Sequence, residues 1–149
     1  MNESKVMPTT YLFAAIILIL AVHFIVPIVK IVSFPWPLIG LLPLFLGIAL
    51  NIIADNAFKR NKTTVKPFED SAVLIKDGVF RISRHPMYLG FVLILIGEAI
   101  LLGSVAPYII IIGFIILMHY KYIKVEETML EKQFGKVWSV YRDEVRRWF

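Results

Sequence analysis

The chain contains no cysteine, which excludes disulfides, thiolate nucleophiles and cysteine-ligated metal centres. Charge is scarce as well. Only 18% of its 149 residues are Asp, Glu, Lys or Arg, while 58% are apolar. A soluble domain of this size carries roughly 25% charged residues. With a mean hydropathy of +0.76, the composition belongs to a protein dissolved in lipid rather than in water. Acidic side chains are the scarcer sign, leaving a net charge of +5. The surplus basic residues collect in one central loop and in the C-terminal tail. That distribution suits an anionic membrane surface and not a nucleic-acid groove, so no nucleic-acid partner is expected.

Long apolar runs are what the chain has in place of charge. Four read as membrane segments, at residues 11–32, 37–54, 88–102 and 105–120. The first is interrupted by His23 and Pro27 before Lys30, and it lacks the basic start and small-residue cleavage site of a removable leader. The second carries Pro43 and Gly47, both tolerated within membrane helices. Between the third and fourth stands only the turn Gly103-Ser104, which demands a tight antiparallel connection. The expected fold is therefore all-α: a polytopic membrane protein of four transmembrane helices in two hairpins, forming one domain over residues 1–149.

Charge orients this arrangement. Lys59, Arg60, Lys62, Lys66, Lys76, Arg81 and Arg84 lie in the loop at 55–87, and seven more basic residues, from Lys121 to Arg147, lie in the tail at 121–149. The opposite side receives only Lys30. The excess of Lys and Arg on one side places both termini, the loop and the tail in the cytoplasm. In the tail, Leu130, Phe134, Val137, Tyr141, Val145 and Trp148 recur at helical spacing, as an interfacial amphipathic helix requires.

Two polar motifs fall on the cytoplasmic side. In Arg84-His85-Pro86-Met87-Tyr88-Leu89-Gly90, the proline suits a first helical turn, where its missing N–H costs nothing. The free N–H groups of that turn, with Arg84 beside them, suit a carboxylate or phosphate. The same residues also suit a cap and a headgroup anchor, with Gly90 there for helix packing. The second motif is Glu126-Glu127. Glu126 precedes Leu130 by one turn and extends the apolar stripe, whereas Glu127 turns toward Glu131; His119 lies two turns before Glu126. Glu98 and His23 sit within apolar segments, and Asn51 and Asp55 share a face near the end of the second one. Ala72-Val73-Leu74-Ile75, an apolar run in the central loop, suits a lid or floor for a site at the helix ends.

The stretch from Gly78 to Gly90, followed by Glu126-Glu127-Thr128-Met129-Leu130 and by Phe134 to Tyr141, resembles the signature of the isoprenylcysteine carboxyl methyltransferase and phospholipid methyltransferase superfamily. Thr64 and Pro67 fit the approach to the first block, and the likeness covers about residues 60–149. It implies a small integral membrane enzyme using S-adenosylmethionine. Arg84, His85, Pro86, Tyr88, Gly90, Glu126 and Glu127 would then help form the cofactor pocket, with Val73 and Leu74 on its adenosine side. The chain departs from the pattern in having Lys121 and Lys124 where an arginine usually precedes the glutamates. It also has Trp138 for tyrosine, and an ending at 145–149 without proline.

The resemblance implies methyl transfer to a lipid or prenylated acceptor drawn from the bilayer, with isoprenylcysteine carboxyl O-methylation the leading form and phospholipid N-methylation its alternative. A sulfonium donor needs no metal, only an in-line nucleophile and exclusion of water. A carboxylate acceptor is already ionised, so Lys121 or Lys124 suffices to orient it. An amine must lose a proton, which gives Glu126 or Glu127 the role of base. Those four residues are the catalytic candidates, and neither a metal nor an obligate protein partner is expected. Two other classes compete: a non-catalytic scaffold or transport component, separable by its failure to bind S-adenosylhomocysteine, and a membrane reductase, separable by nicotinamide binding.

Overall fold

The computed structural model describes residues 6–25, 35–64 and 71–148. Pro27, Lys30, Lys66, Pro67, Phe149 and the end of the first segment at Val32 lie outside the described residues. Within them every regular element is helical. Helix α1 spans Pro8–Ile25. A 3-10 turn, Trp36–Gly40, leads into α2, Leu41–Arg60. After the central loop and a 3-10 turn at Gly78–Arg81 comes α3, Pro86–Leu102. Helix α4, Pro107–Met118, passes through a π-helical turn at His119–Ile123 into α5, Lys124–Phe134. The short α6, Lys136–Glu144, follows.

Three of these rods are long and apolar enough to cross a bilayer: Pro8–Ile25, Trp36–Arg60 and the continuous Pro107–Phe134. The sequence predicts a fourth span at 88–102. That segment forms α3, a shorter apolar helix of 17 residues. At 1.5 Å per residue it reaches about 25 Å, less than the roughly 30 Å of a hydrocarbon core. The second and fourth rods also run well past the apolar boundaries at 54 and 120, because helical hydrogen bonding continues into polar sequence.

Packing revises the expected hairpins. The main core joins α1 (Leu12, Ala15, Ile19), α3 (Tyr88, Val92, Leu95, Ala99) and α4 (Ile111, Phe114, Met118), together with Tyr122 and Ile123. Helix α2 packs antiparallel on the other face of α3, so its principal partner is α3 and not α1. Glycine is the reason. A Cβ on Gly47 would stand 2.5 Å from the carbonyl oxygen of Gly90, and one on Gly97 would stand 2.7 Å from that of Gly40. The two backbones touch, as small residues allow between membrane helices. Apolar side chains elsewhere face outward, with Phe45 61% and Ile109 76% exposed. Such surfaces suit lipid and not water.

The predicted tail stripe also changes. Gly135 adopts φ +50° and ψ −120°, a conformation costly for a residue with a Cβ, and it separates α5 from α6. The break resets the helical phase. Trp138 and Tyr141 turn inward, whereas Val137, expected on the packed face, is 52% exposed.

The glycine contact yields a stability test. Gly47→Ala should lower the unfolding midpoint in detergent, because overpacking a close contact costs about 1–3 kcal/mol. Gly113→Ala, whose added methyl meets nothing within 4 Å, should leave it nearly unchanged. Equal midpoints for the two variants would show that α2 and α3 do not touch at Gly47.

Candidate functional site

Pro86 opens α3 with the ring that its first turn accommodates, so the residues before it must satisfy their backbone groups elsewhere. The His85 N–H donates to Ser83 Oγ at 3.1 Å, and the Ser83 hydroxyl donates to the Arg147 carbonyl at 3.0 Å. The Arg84 N–H donates to the Arg146 carbonyl at 3.0 Å. A nearby turn is tied down by Tyr141, whose hydroxyl donates to the Phe80 carbonyl at 2.6 Å. Both predicted motifs thus meet a third segment, the end of α6 and the residues after it.

The π-helical turn at His119–Ile123 inserts extra residue length between α4 and α5, rotating the face that follows. Glu126 and Glu127 fall in the first turn of α5, beyond the apolar stretch that ends at Tyr120. Tyr88 Oη donates to Glu126 Oε1 at 2.5 Å, and His85 Nδ1 lies 3.5 Å from Glu126 Oε2. Glu127 Oε1 takes Arg84 Nη2 at 3.0 Å, Arg147 Nε at 3.0 Å and His85 Nε2 at 3.3 Å. Its other oxygen accepts Arg147 Nη2 at 2.5 Å, completing a two-pronged guanidinium–carboxylate pair. Arg84 also stacks over the Trp138 ring, 5.7 Å from its centroid, and donates through Nη1 to the Arg142 carbonyl at 3.0 Å.

Burial makes these contacts matter, with only 4% of the His85 side chain and 7% of that of Arg84 exposed. Burial resists ionisation of Glu127, but hydrogen bonds from His85 and Arg147 and the charges of His85 and Arg84 outweigh it and hold the carboxyl down at about 2. Burial likewise pulls the His85 imidazole down; hydrogen bonds to Glu126 and Glu127 and their charges prevail, so its pKa lies above the ordinary histidine value. Arg84 is lowered, chiefly by burial, with Glu127 opposing.

A cavity opens beside this network. Of the predicted pocket residues, Val73, Leu74, Arg84, His85, Pro86, Tyr88 and Glu126 line it. Phe58 of α2, Met7 to Thr9 at the start of α1, and Trp138 and Tyr141 of α6 complete much of the wall. Other expected residues lie elsewhere. Gly90 is buried against Gly47 and Asn51, and Asn51 donates to the Gly47 carbonyl. Glu127, expected to turn outward toward Glu131, is enclosed behind His85 with 12% of its side chain exposed. Lys121 donates to the Tyr11 hydroxyl at 2.5 Å, and Lys124 stacks over Tyr120 at 4.6 Å. Neither lysine lines the cavity: two and five residues before Glu126, both lie toward the far side of the helix from it. His119 meets Tyr120 and is also outside the lining, as are Glu98 and His23; Asp55 pairs with Lys59.

Sequence reasoning missed Arg147, Ser83 and Gln133. Gln133 lines the cavity and donates to the Ser71 carbonyl at 2.5 Å, tying the Val73-Leu74 loop to α5. Arg147 carried only the signal of one more basic residue in a basic tail.

Long apolar helices with outward-facing hydrophobic residues, and a charged cavity at their polar ends, define a helical integral membrane protein with a polar site at its surface. The sequence model of the phospholipid methyltransferase family matches residues 36–137, more than half of the 149-residue chain, and the chain belongs to that family. Over 62 residues it is 39% identical to an uncharacterised protein of Haemophilus influenzae, a match spanning 42% of this chain and 98% of that protein.

The Glu127 network predicts an acid-sensitive fold. The folded carboxyl ionises at about 2, against its ordinary 4.5, so its contribution is full above 4.5 and disappears as pH falls through about 2. Glu127→Gln should therefore lower stability at pH 7 and flatten the acid limb of unfolding midpoint against pH, measured in detergent. Superimposable profiles would remove Glu127 from the stability of the fold.

Proposed function

We propose that this chain transfers a methyl group from S-adenosylmethionine to an amine-bearing lipid headgroup that reaches the cavity from the bilayer. The observation that carries the amine is Glu126, a carboxylate on the cavity wall oriented by Tyr88 and His85. A carboxylate acceptor, such as the isoprenylcysteine expected from the sequence, needs a cation to orient it. The lysines expected for that role are engaged with Tyr11 and Tyr120 outside the cavity.

The residues fit the cofactor. Arg84 lines the cavity, and its buried Nε has no hydrogen-bond partner, a donor suited to the carboxylate of an amino-acid moiety. Phe58, Val73, Leu74 and Trp138 give the apolar and aromatic surfaces that an adenine ring requires. When bound, the cofactor supplies an electrophilic methyl group on a sulfonium centre. Glu126 removes the proton from the acceptor ammonium, exposing the lone pair that attacks. The Tyr88 hydroxyl fixes the carboxylate, and the apolar walls exclude water. The basic residues of the central loop and of the tail favour a cytoplasmic cavity mouth.

Incubation in nanodiscs with methyl-labelled cofactor and a panel of aminolipid, prenylcysteine and quinone-like acceptors tests the reading. Label should enter the aminolipid, and at saturating cofactor and acceptor Glu126→Gln should cut the rate about 100-fold or more, the loss expected for a general base. Transfer to prenylcysteine alone would overturn the amine assignment, and absence of both transfer and S-adenosylhomocysteine binding would overturn the activity. By calorimetric titration, Arg84→Ala and His85→Ala should each weaken S-adenosylhomocysteine binding while the protein remains folded. Unchanged affinity in both would remove this motif from the cofactor site.

A further inference from the structure

The proposed chemistry uses His85 and Glu126 at the cavity wall but leaves Arg147 unexplained. This residue lies 63 positions beyond Arg84 in the sequence and lines no part of the cavity. Even so, its guanidinium grips both oxygens of Glu127, at 3.0 Å and 2.5 Å. Glu127 in turn receives His85 Nε2, whose opposite ring nitrogen faces Glu126. The backbone around Arg147 is equally committed, since the carbonyls of Arg146 and Arg147 accept from the Arg84 N–H and the Ser83 hydroxyl. Trp148 packs against the main core and so anchors the segment.

Resting on the proposed methyl transfer, we infer that Arg147 is a positioning residue: residues 145–148 form a strap whose guanidinium fixes Glu127, so that Glu127 holds the His85 ring against Glu126. A carboxylate held by several donors has one orientation, and an imidazole hydrogen-bonded at one nitrogen presents the other in a defined direction. Without Arg147, Arg84 and His85 still compensate the charge of Glu127, but the oxygen bound by Arg147 Nη2 loses that donor and the carboxylate can rotate. Arg84 cannot substitute for it. Its Nη1 is held by the Arg142 carbonyl and its guanidinium lies over Trp138. The strap therefore acts on the cavity through two intermediaries and touches neither acceptor nor cofactor.

The test uses the full chain in nanodiscs, with Arg147→Met, Arg147→Lys, Glu127→Gln and the Arg147→Met/Glu127→Gln double variant. Misplacing His85 should lower kcat about 10-fold in Arg147→Met, a loss typical of a group displaced by a fraction of an ångström. S-adenosylhomocysteine affinity should stay within about threefold, and Arg147→Lys should recover at least half of the lost rate. Adding Arg147→Met to Glu127→Gln should change kcat by less than about twofold, since both lie on one line of action. A second reading is independent of turnover: the ring nitrogen resonances of His85 in 15N-histidine-labelled protein, assigned with His85→Gln, should move in Arg147→Met and in Glu127→Gln. Full multiplication of the two losses, wild-type kcat in Arg147→Met, or an unmoved His85 signal would each overturn the role. If the wild-type protein transfers no methyl group, the activity proposal fails, while the His85 resonances still decide whether Arg147 positions the ring.

Discussion

One buried carboxylate organises the polar half of this protein. Glu127 sits where ionised oxygen is costly, and its charge is sustained by Arg84, Arg147 and His85 converging on it. These groups come from three parts of the chain: His85 and Arg84 from the threshold of α3, Arg147 from beyond α6, and Glu127 itself from the first turn of α5. Meeting that single electrostatic demand therefore brings three segments together. Glu126, one residue earlier, is left on the cavity wall with Tyr88 and His85. The adjacent glutamates therefore differ in surroundings: one carboxylate is saturated with donors, the other is turned to the cavity.

The apolar half answers a different constraint. With lipid on the outside, burial of hydrocarbon gives little reason for one membrane helix to choose another, so close backbone contact decides. Gly40, just before α2, and Gly47 within it meet Gly97 and Gly90 of α3, leaving the other face of α3 for α1 and α4. Helix α3 is thus clasped from both sides despite being short. Its first turn carries Pro86 and Tyr88, and its preceding residue is His85, so the site is built on the most enclosed helix among the described residues.

Much of the site was legible because its residues break local expectation. Arg84-His85-Pro86 is a charged, proline-started entrance to an apolar run, and Glu126-Glu127 interrupts a basic tail. Such breaks are visible in one dimension. The placement of Glu126 on an inward face followed from its one-turn spacing to Leu130, and it lines the cavity as that spacing suggests. Extrapolation failed where helical phase was not conserved. The π-helical turn at His119–Ile123 moved His119 off the expected face, and Gly135 turned Trp138 inward in place of Val137. Both are local departures from 3.6 residues per turn, to which a regular spacing argument is blind.

The sequence by itself determined the solvent, the helical class and the two motifs. These depend on composition and on neighbours within a turn or two, where backbone hydrogen bonding leaves little choice. The tertiary structure decided which helices pair, that Glu127 is enclosed behind His85 and which basic residue joins it there. Gly90 reads equally well as a ligand contact or a packing contact until Gly47 and Asn51 are seen against it. Arg147 is indistinguishable from its basic neighbours until Glu127 is placed beside it. The physical reason is the same in both cases. The energy of a close contact or a buried ion pair belongs to two groups far apart in the chain, and it exists only once the fold has brought them together.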